Sequence, residues 1–395
     1  MKNHKVVVAG HVCLDIIPKF GCKNVDRLSN VLAPGKLVNV GAAMLSTGGA
    51  VANTGIAMKI LGNSVSFVAK VGADAFGKIV REKMAVHGNV NGIRVDTKST
   101  TSYSIVLAIP GIDRMFLHDS GANDTFTSSD VDYNVVKTAE LFHFGYPPLM
   151  KNMYVNNGKE LAAMFRRVKR CGVTTSLDMA MPDLASAVGK VDWRKVLAAV
   201  LPYVDICVPS IEETVAMMER GKYLELVKKN PGKELVNVIP VELYTTIADK
   251  MLDMGAGIVV LKAGHKGYYI RTAGSKRLEK IGILNRGGIT NWSDRELWCP
   301  AFEVTKIASA TGSGDTSIAG FLTSVLNGYT IEQSLKYANA VGYQNLQGLD
   351  AVSSIQPWNV VQKQVKKLIS VHLDFPKNSG WTWDNEIQMW NKDKR

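Results

Sequence analysis

The stretch Ala310-Thr311-Gly312-Ser313-Gly314-Asp315-Thr316-Ser317 concentrates more chemistry than any other part of this chain. Behind it Ile318, Phe321, Leu322, Val325 and Leu326 recur at the spacing of one helical face, so residues 312–314 sit where a loop enters a helix. The first N–H groups of a helix have no intrahelical acceptor, and the helix dipole adds positive potential. Such a junction suits a phosphate. Glycines there let a ligand approach the backbone closely. Asp315 falls in the first helical turn, beside the place where that phosphate would rest. Acidic residues are also favoured at helix starts for electrostatic reasons alone, so the motif needs company before it implies catalysis. It is not a Walker loop, which carries Lys-Ser/Thr after its glycines, nor a dinucleotide fingerprint, which follows the first strand.

A second group lies near the N-terminus. Gly10 and Asp15 follow an apolar run, and Gly48-Gly49-Ala50-Val51-Ala52-Asn53 opens a helical stretch that ends at Leu61-Gly62. Asp15 and Asn53 offer hydrogen bonds to hydroxyls, and the glycine pair leaves room for a ligand. Gly72-x-Asp74-x-x-Gly77 reads as a turn and helix entry. Taken singly, each is ordinary turn chemistry.

The elements that must position these residues alternate. β-Branched apolar runs at Lys5–Ala9, Ser64–Val71, Leu141–Phe144, Thr174–Asp178, Ile206–Pro209 and Ile258–Leu261 are separated by helical stretches such as Ala50–Leu61 and Tyr154–Cys171. That alternation predicts an α/β fold with a mostly parallel sheet covered on both faces, its ligands at the carboxyl ends of the strands. Lys36–Thr47, Ser102–Ile109 and Arg114–His118 are β-prone without intervening helices and read as a small antiparallel lid. Gly221–Val241 and Ala273–Trp298 read as insertions, and the segment after Pro376 carries Trp381, Trp383 and Trp390, which are expected to pack against the body or a second copy.

The chain's 395 residues are 46% hydrophobic and 21% charged, which excludes a disordered or fibrous protein. No run approaches the roughly 18 apolar residues of a membrane span, so a cytoplasmic protein without a membrane partner is expected. Five scattered cysteines without a CxxC pair argue against both a disulfide framework and a zinc site. The net charge of +12 is spread along the chain, and its densest group, Arg166-Arg167-Val168-Lys169-Arg170, reads as the wet side of a helix. Steering of an anionic small molecule is a better use of that charge than nucleic-acid binding.

In order along the chain, these segments resemble the PfkB family of carbohydrate kinases in the ribokinase-like superfamily. The resemblance includes Gly-Gly-x-x-x-Asn at 48–53, Gly72/Asp74/Gly77, Gly121-Ala122-Asn123, Lys262-Ala263-Gly264-His265-Lys266-Gly267, the Thr311–Asp315 loop and Tyr337-Ala338-Asn339-Ala340. It implies a three-layer α/β/α kinase domain over residues 1–370, with lid strands within about 16–47 and 100–120. Insertions then fall at about 215–250 and 273–300, and a Trp-rich tail at 371–395. It further implies ATP-dependent phosphorylation of a hydroxyl on a sugar or sugar-like alcohol. Asp315 would be the general base, and Gly312, Ser313 and Gly314 the anion hole. Asp15, Gly48, Gly49 and Asn53 would hold the sugar, with Arg114, Asn123 and Tyr146 as further contacts. Lys262, Gly264, Gly267, Thr311 and Asn339 would lie on the nucleotide side. Mg²⁺ would bridge ATP phosphates near Glu213, and exposed lid edges favour a homodimer.

Three departures from the family pattern stand out. The metal-organising Asn-x-x-Glu is here Ser210-Ile211-Glu212-Glu213. The usual Asp-Thr before the glycine loop, whose Asp helps hold an activating monovalent cation, is Ser309-Ala310, so weak potassium activation is expected. The residue after the glycine pair is Ala50, where ribokinases and phosphosugar kinases often carry Lys, which favours a neutral acceptor over a sugar phosphate. Tyr103, Phe116 and Tyr146 are the aromatics that would stack a base if the acceptor were a nucleoside. A sugar-binding regulator without catalysis is the remaining alternative, weakened by the intact 312–315 loop.

Overall fold

The computed structural model describes residues 3–392 except Lys23, Asp113, Gly287 and Asn378. Val6, Val7, Val8 and Ala9 of β1 (Lys5–Gly10) are almost inaccessible, as a strand covered on both faces must be. The chain leaves it for β2 (Cys13–Pro18) and β3 (Ala43–Gly48), and returns through β4 (Ser64–Gly72) and β5 (Ile93–Asp96). It leaves again for β6 (Tyr103–Leu107) and β7 (Met115–Asp119) before laying down β8 (Leu141–Gly145), β9 (Thr174–Leu177), β10 (Ile206–Cys207) and β11 (Ile258–Lys262). β12 (Tyr268–Thr272), β13 (Glu296–Cys299), β14 (Trp381–Asp384) and β15 (Met389–Lys392) follow.

Eleven strands form the central sheet in the order β14-β15-β13-β12-β11-β10-β9-β8-β1-β4-β5. Every neighbouring pair from β5 to β11 is parallel, and every pair beyond β11 is antiparallel. The strand order reverses at β1, which lies between β4 and β8, so a crevice opens at the carboxyl ends of these strands. Alternate residues of β1 feed two cores: Val6 and Val8 pack with the Ala50–Ile60, Ser313–Leu326 and Ile331–Asn345 helices, Val7 and Ala9 with Lys151–Arg170 and its neighbours. β3, β2, β6 and β7 form a separate four-stranded lid, β2 pairing antiparallel with β3 and parallel with β6. No helix among the described residues is long and apolar enough to cross a membrane.

Three segments that the sequence sets apart are built into the same body. The supposed 273–300 insertion contains β13, an integral strand, and the 215–250 insertion runs into the helix Val241–Asp253, whose Leu243, Tyr244, Ile247, Ala248 and Met251 are buried. Only Arg220–Lys229 behaves as an added surface helix, with no buried residue. The 371–395 tail, delimited in the sequence as a segment of its own whose tryptophans pack against the body or a second copy, lies against the body and extends the same sheet as far as residue 392. β15 pairs with β13, and Trp381 packs edge-on against Tyr269 and Trp298. The last three residues of that tail, 393–395, lie outside the described residues.

Candidate active site

Gly312 caps the Ser313–Leu326 helix at φ 76, a left-handed conformation in which a Cβ would also fall 2.5 Å from the Ala351 Cβ. This tight turn sets Asp315 in the first helical turn at 3% exposure. Asn53 Nδ2 donates to Asp315 Oδ2 at 2.9 Å, and the Tyr146 hydroxyl lies 2.8 Å from both carboxylate oxygens. Burial pushes the Asp315 carboxyl above its ordinary range, opposed by the bonds from Asn53 and Tyr146 and by the Lys262 charge. In the loop itself the Ser313 N–H turns back to the Ala310 carbonyl at 3.2 Å. Asn345 Nδ2 ties the loop from behind, donating to Thr311 O at 3.0 Å and Ala351 O at 2.7 Å.

Asp15 faces this loop from β2, where it pairs in register with Ser46 of β3 and Ser104 of β6. A Cβ at Gly48 would meet its Oδ2 at 2.4 Å, so any larger residue there would push the Asp15 carboxylate aside. Burial raises the Asp15 carboxyl, while bonds from Cys13 and Ser104 act in the opposite direction. Asp15, Ser46, Thr47, Arg114, Thr311 and Ala351 line a cavity of about 30 Å³ between lid and body. That is room for one or two waters. Arg114, just before β7, donates to the Thr311 hydroxyl and latches lid to loop.

On the opposite side, at the ends of β9 and β11, lies an ion pair whose carboxylate is absent from the sequence candidates. Lys262 Nζ donates to Asp178 Oδ1 at 2.6 Å and to Val208 O at 2.8 Å. Its stem passes beneath the loop, the Cε 3.5 Å from where a Gly314 Cβ would lie. Burial, with the charges of Glu213 and Asp315, pushes the Asp178 carboxyl upward. Burial alone would favour a neutral Lys262, but Asp178 and Glu213 outweigh it and hold the ammonium protonated. Asp178 sits at the carboxyl end of a strand-like run, the position where an open α/β sheet places ligands. That position was its only sequence signal.

Several expected contacts take other partners. Glu213 and Ser210 form a capping box: Ser210 N–H donates to Glu213 Oε2 at 2.8 Å and Glu213 N–H to Ser210 Oγ at 3.2 Å. Asn123 is completely buried and bonds both backbone groups of Val12, so it holds the β1–β2 turn instead of facing the cavity. Asn339 Nδ2 donates to Pro300 O at 2.9 Å, and Gly267 (φ 93) packs against the same Cys299–Ala301 backbone. Gly264 opens the turn between β11 and β12. Two histidines also enter: the His11 ring lies 6.0 Å from that of Tyr146, and its Nε2 is 3.3 Å from Nε2 of His118 on the lid. Nothing in their spacing marks them, because β7 returns over β1 only after a long excursion.

Comparisons with known proteins give the family and the fold. Residues 5–358 match the pfkB family carbohydrate kinase profile. An uncharacterized sugar kinase of Archaeoglobus fulgidus is 22% identical over 281 residues, which span 71% of this chain and 90% of the relative. Fructokinase-2 of Zea mays is 25% identical over 357 residues, spanning 86% and 88%. The solved structure of Arabidopsis thaliana ribokinase complexed with ribose and ATP covers 92% of this chain and 99% of its own at a TM-score of 0.66 and 19% identity, a likeness of fold. By the profile match over residues 5–358 the chain belongs to the pfkB family, as a carbohydrate kinase, and by its likeness to solved structures it is built on the ribokinase-like fold.

Proposed function

We propose that the protein transfers the terminal phosphoryl group of ATP to a hydroxyl of a neutral sugar or polyol, with Asp315 as general base. One observation carries this reading: a buried carboxylate held by Asn53 and Tyr146 in the first turn of a helix whose glycine-rich N-terminal loop would cradle a phosphate. The Gly312 and Gly314 N–H groups would receive the moving phosphoryl, with the Ser313 N–H turned back to Ala310 O and the Lys262 side chain behind the loop. Phosphoryl transfer needs little more than this positioning and charge neutralisation. Asp15 and the Gly48–Gly49 backbone would hold sugar hydroxyls beneath the lid. Asn53 serves the base directly, and Asn123 and Asn339 act through the backbone they hold.

Lys262, Gly264 and Gly267 line the side proposed for ATP. Among the described residues no three His, Cys, Asp or Glu side chains converge into a metal cage. Mg²⁺ would travel with the ATP phosphates, near Glu213, whose hard oxygens suit that ion. When bound it neutralises phosphate charge.

Two features favour a neutral sugar. Ala50 is buried and offers no cation, and Arg114 is engaged with Thr311, whereas a phosphate monoester calls for charge-assisted partners. The aromatics that would serve a nucleoside have other contacts: Tyr103 packs on Phe76, Tyr146 bonds Asp315, and Phe116 is 53% exposed on the lid. Exposed Met44, Leu45, Phe116 and Leu117 on that lid support pairing with a second copy.

The test is ADP release from ATP with fructose, ribose, ribitol, their monophosphates and adenosine, using wild type and Asp315→Asn. A neutral sugar or polyol should give the highest kcat/KM. Asp315→Asn should lose about 10²–10⁴-fold in kcat with near-normal ATP affinity. A sugar phosphate as best acceptor would refute the neutral-acceptor reading, and more than about a tenth of wild-type kcat in Asp315→Asn would refute the base.

A further inference from the structure

We infer that Tyr146 is a positioning residue for Asp315, whose shared hydroxyl hydrogen bond orients the carboxylate so that Oδ1 receives the acceptor's proton. The inference rests on the reading of Asp315 as base. A carboxylate offers about four lone-pair sites. The Tyr146 hydroxyl, 2.8 Å from Oδ1 and 2.8 Å from Oδ2, lies between the two oxygens and occupies the inward-facing site of each. Asn53 takes a further site on Oδ2 at 2.9 Å. Only Oδ1 keeps an open site, and at 3% exposure bulk water does not compete for it.

The backbone of Tyr146 supports the assignment independently. Its φ of 68° and ψ of 42° lie in the left-handed region, rare for a bulky side chain and here immediately before Pro147. Such a conformation persists only where the surroundings enforce it, and it recurs at functional positions. Here the His11 N–H bonds Gly145 O at 3.2 Å, the Leu149 N–H bonds Tyr146 O at 3.0 Å, and the His11 ring flanks the phenol. A relaxed backbone would swing the hydroxyl away from Asp315.

The charged groups facing Asp315 are Lys262 from β11, Glu213 from the Ile211–Met218 helix and Asp178 after β9, which also faces Tyr146. None of them changes in Tyr146→Phe. That substitution removes one donor to the ionised form, so the Asp315 carboxyl should become a weaker acid by about one pH unit.

The test reads this directly, without an acceptor. Full-length protein carrying ¹³C-carboxyl aspartate is titrated by NMR, with the Asp315 resonance assigned by its loss in Asp315→Asn. The midpoint in Tyr146→Phe should rise by about one unit, and the acidic limb of kcat/KM with fructose should move in the same direction. A midpoint that stays or falls overturns the proposal. Should Tyr146→Phe not fold, 3-fluorotyrosine at 146 keeps the shape and strengthens the donor; the midpoint should then fall, and an unmoved one overturns the proposal. Asp315→Asn separates the two readings. Retained kcat there removes the base, and with it any role of Tyr146 in turnover, whereas lost kcat with an unmoved Tyr146→Phe midpoint removes Tyr146 alone.

Discussion

The Asp178–Lys262 pair should respond unequally to loss of either partner. The side chains are 1% and 13% exposed, and Nζ sits 2.6 Å from Oδ1. In Lys262→Met, Asp178 loses its counter-charge, but burial and the nearby carboxylates already push its carboxyl upward, so it takes a proton and becomes neutral. In Asp178→Asn, Lys262 keeps Val208 O and an amide oxygen, yet its charge is stranded. Breaking a buried pair from one side costs about 3–5 kcal/mol. Because Glu213 and Asp315 still face the ammonium, the lower end applies: about 3 kcal/mol for Asp178→Asn, against roughly 1 kcal/mol for Lys262→Met near pH 6.5. With an unfolding entropy of about 2 cal/mol/K per residue, 3 kcal/mol lowers Tm by about 4 °C in a chain of this length. The pH dependence follows from the direction of the shift. A carboxyl raised in the folded state gives stability that is present at low pH and lost as pH rises through its folded pKa. The deficit of Lys262→Met should therefore widen between pH 6.5 and 8.5 relative to wild type. Guanidinium unfolding at both pH values measures it. A Lys262→Met deficit larger than that of Asp178→Asn at pH 6.5, or one that narrows with pH, would refute the reasoning.

His143 of β8 is completely buried, and burial, followed by the Lys262 charge, pushes it down to about 3. A histidine depressed in the folded state binds its proton only on unfolding, so stability held above pH 6.5 is lost as pH falls, by at most about 1.4 kcal/mol per unit. His143→Gln should flatten the fall in Tm between pH 6 and 4, and an unchanged slope would exclude the assignment. With Ser309-Ala310 before the glycine loop, and the neutral Asn345 amide joining the Thr311 and Ala351 carbonyls, potassium should matter little. Exchange for tetramethylammonium at constant ionic strength should cost under about tenfold in kcat, or ~1.4 kcal/mol, and a collapse of activity would show a working cation site.

Strands covered on both faces were legible because burial on both sides demands unbroken β-branched runs, as in Val6-Val7-Val8 and Ile258-Val259-Val260. β13, reading Glu-Leu-Trp-Cys, gives no such run, because its burial comes from β12 and from a hairpin far along the chain. Asp315, Gly312 and Asn53 stood out through helix-start chemistry. Asn123 and Asn339 entered through the family resemblance, and a sequence does not say whether an amide will meet a ligand or a backbone carbonyl. Ser210-x-x-Glu213 matches a capping box as well as a metal motif, and the first is what the hydrogen bonds form. His11 and His118 meet only because the lid folds back over β1, a long-range event with no local signature.

The hairpin β14–β15 has a consequence for how the protein is made. Leu297 of β13 pairs with Asn391, about ninety residues later. During synthesis β13, with Trp298 and its neighbours Tyr244 and Tyr269, leaves the ribosome well before the strand that completes its edge exists. For that interval the nascent chain carries an aromatic, unpaired sheet edge, the kind of surface on which chains stick to one another. Yield of native protein should then depend on translation speed and chaperone supply, and a chain ended at Gly380 should collect in inclusion bodies even though the whole Gly312–Asp315 loop is present.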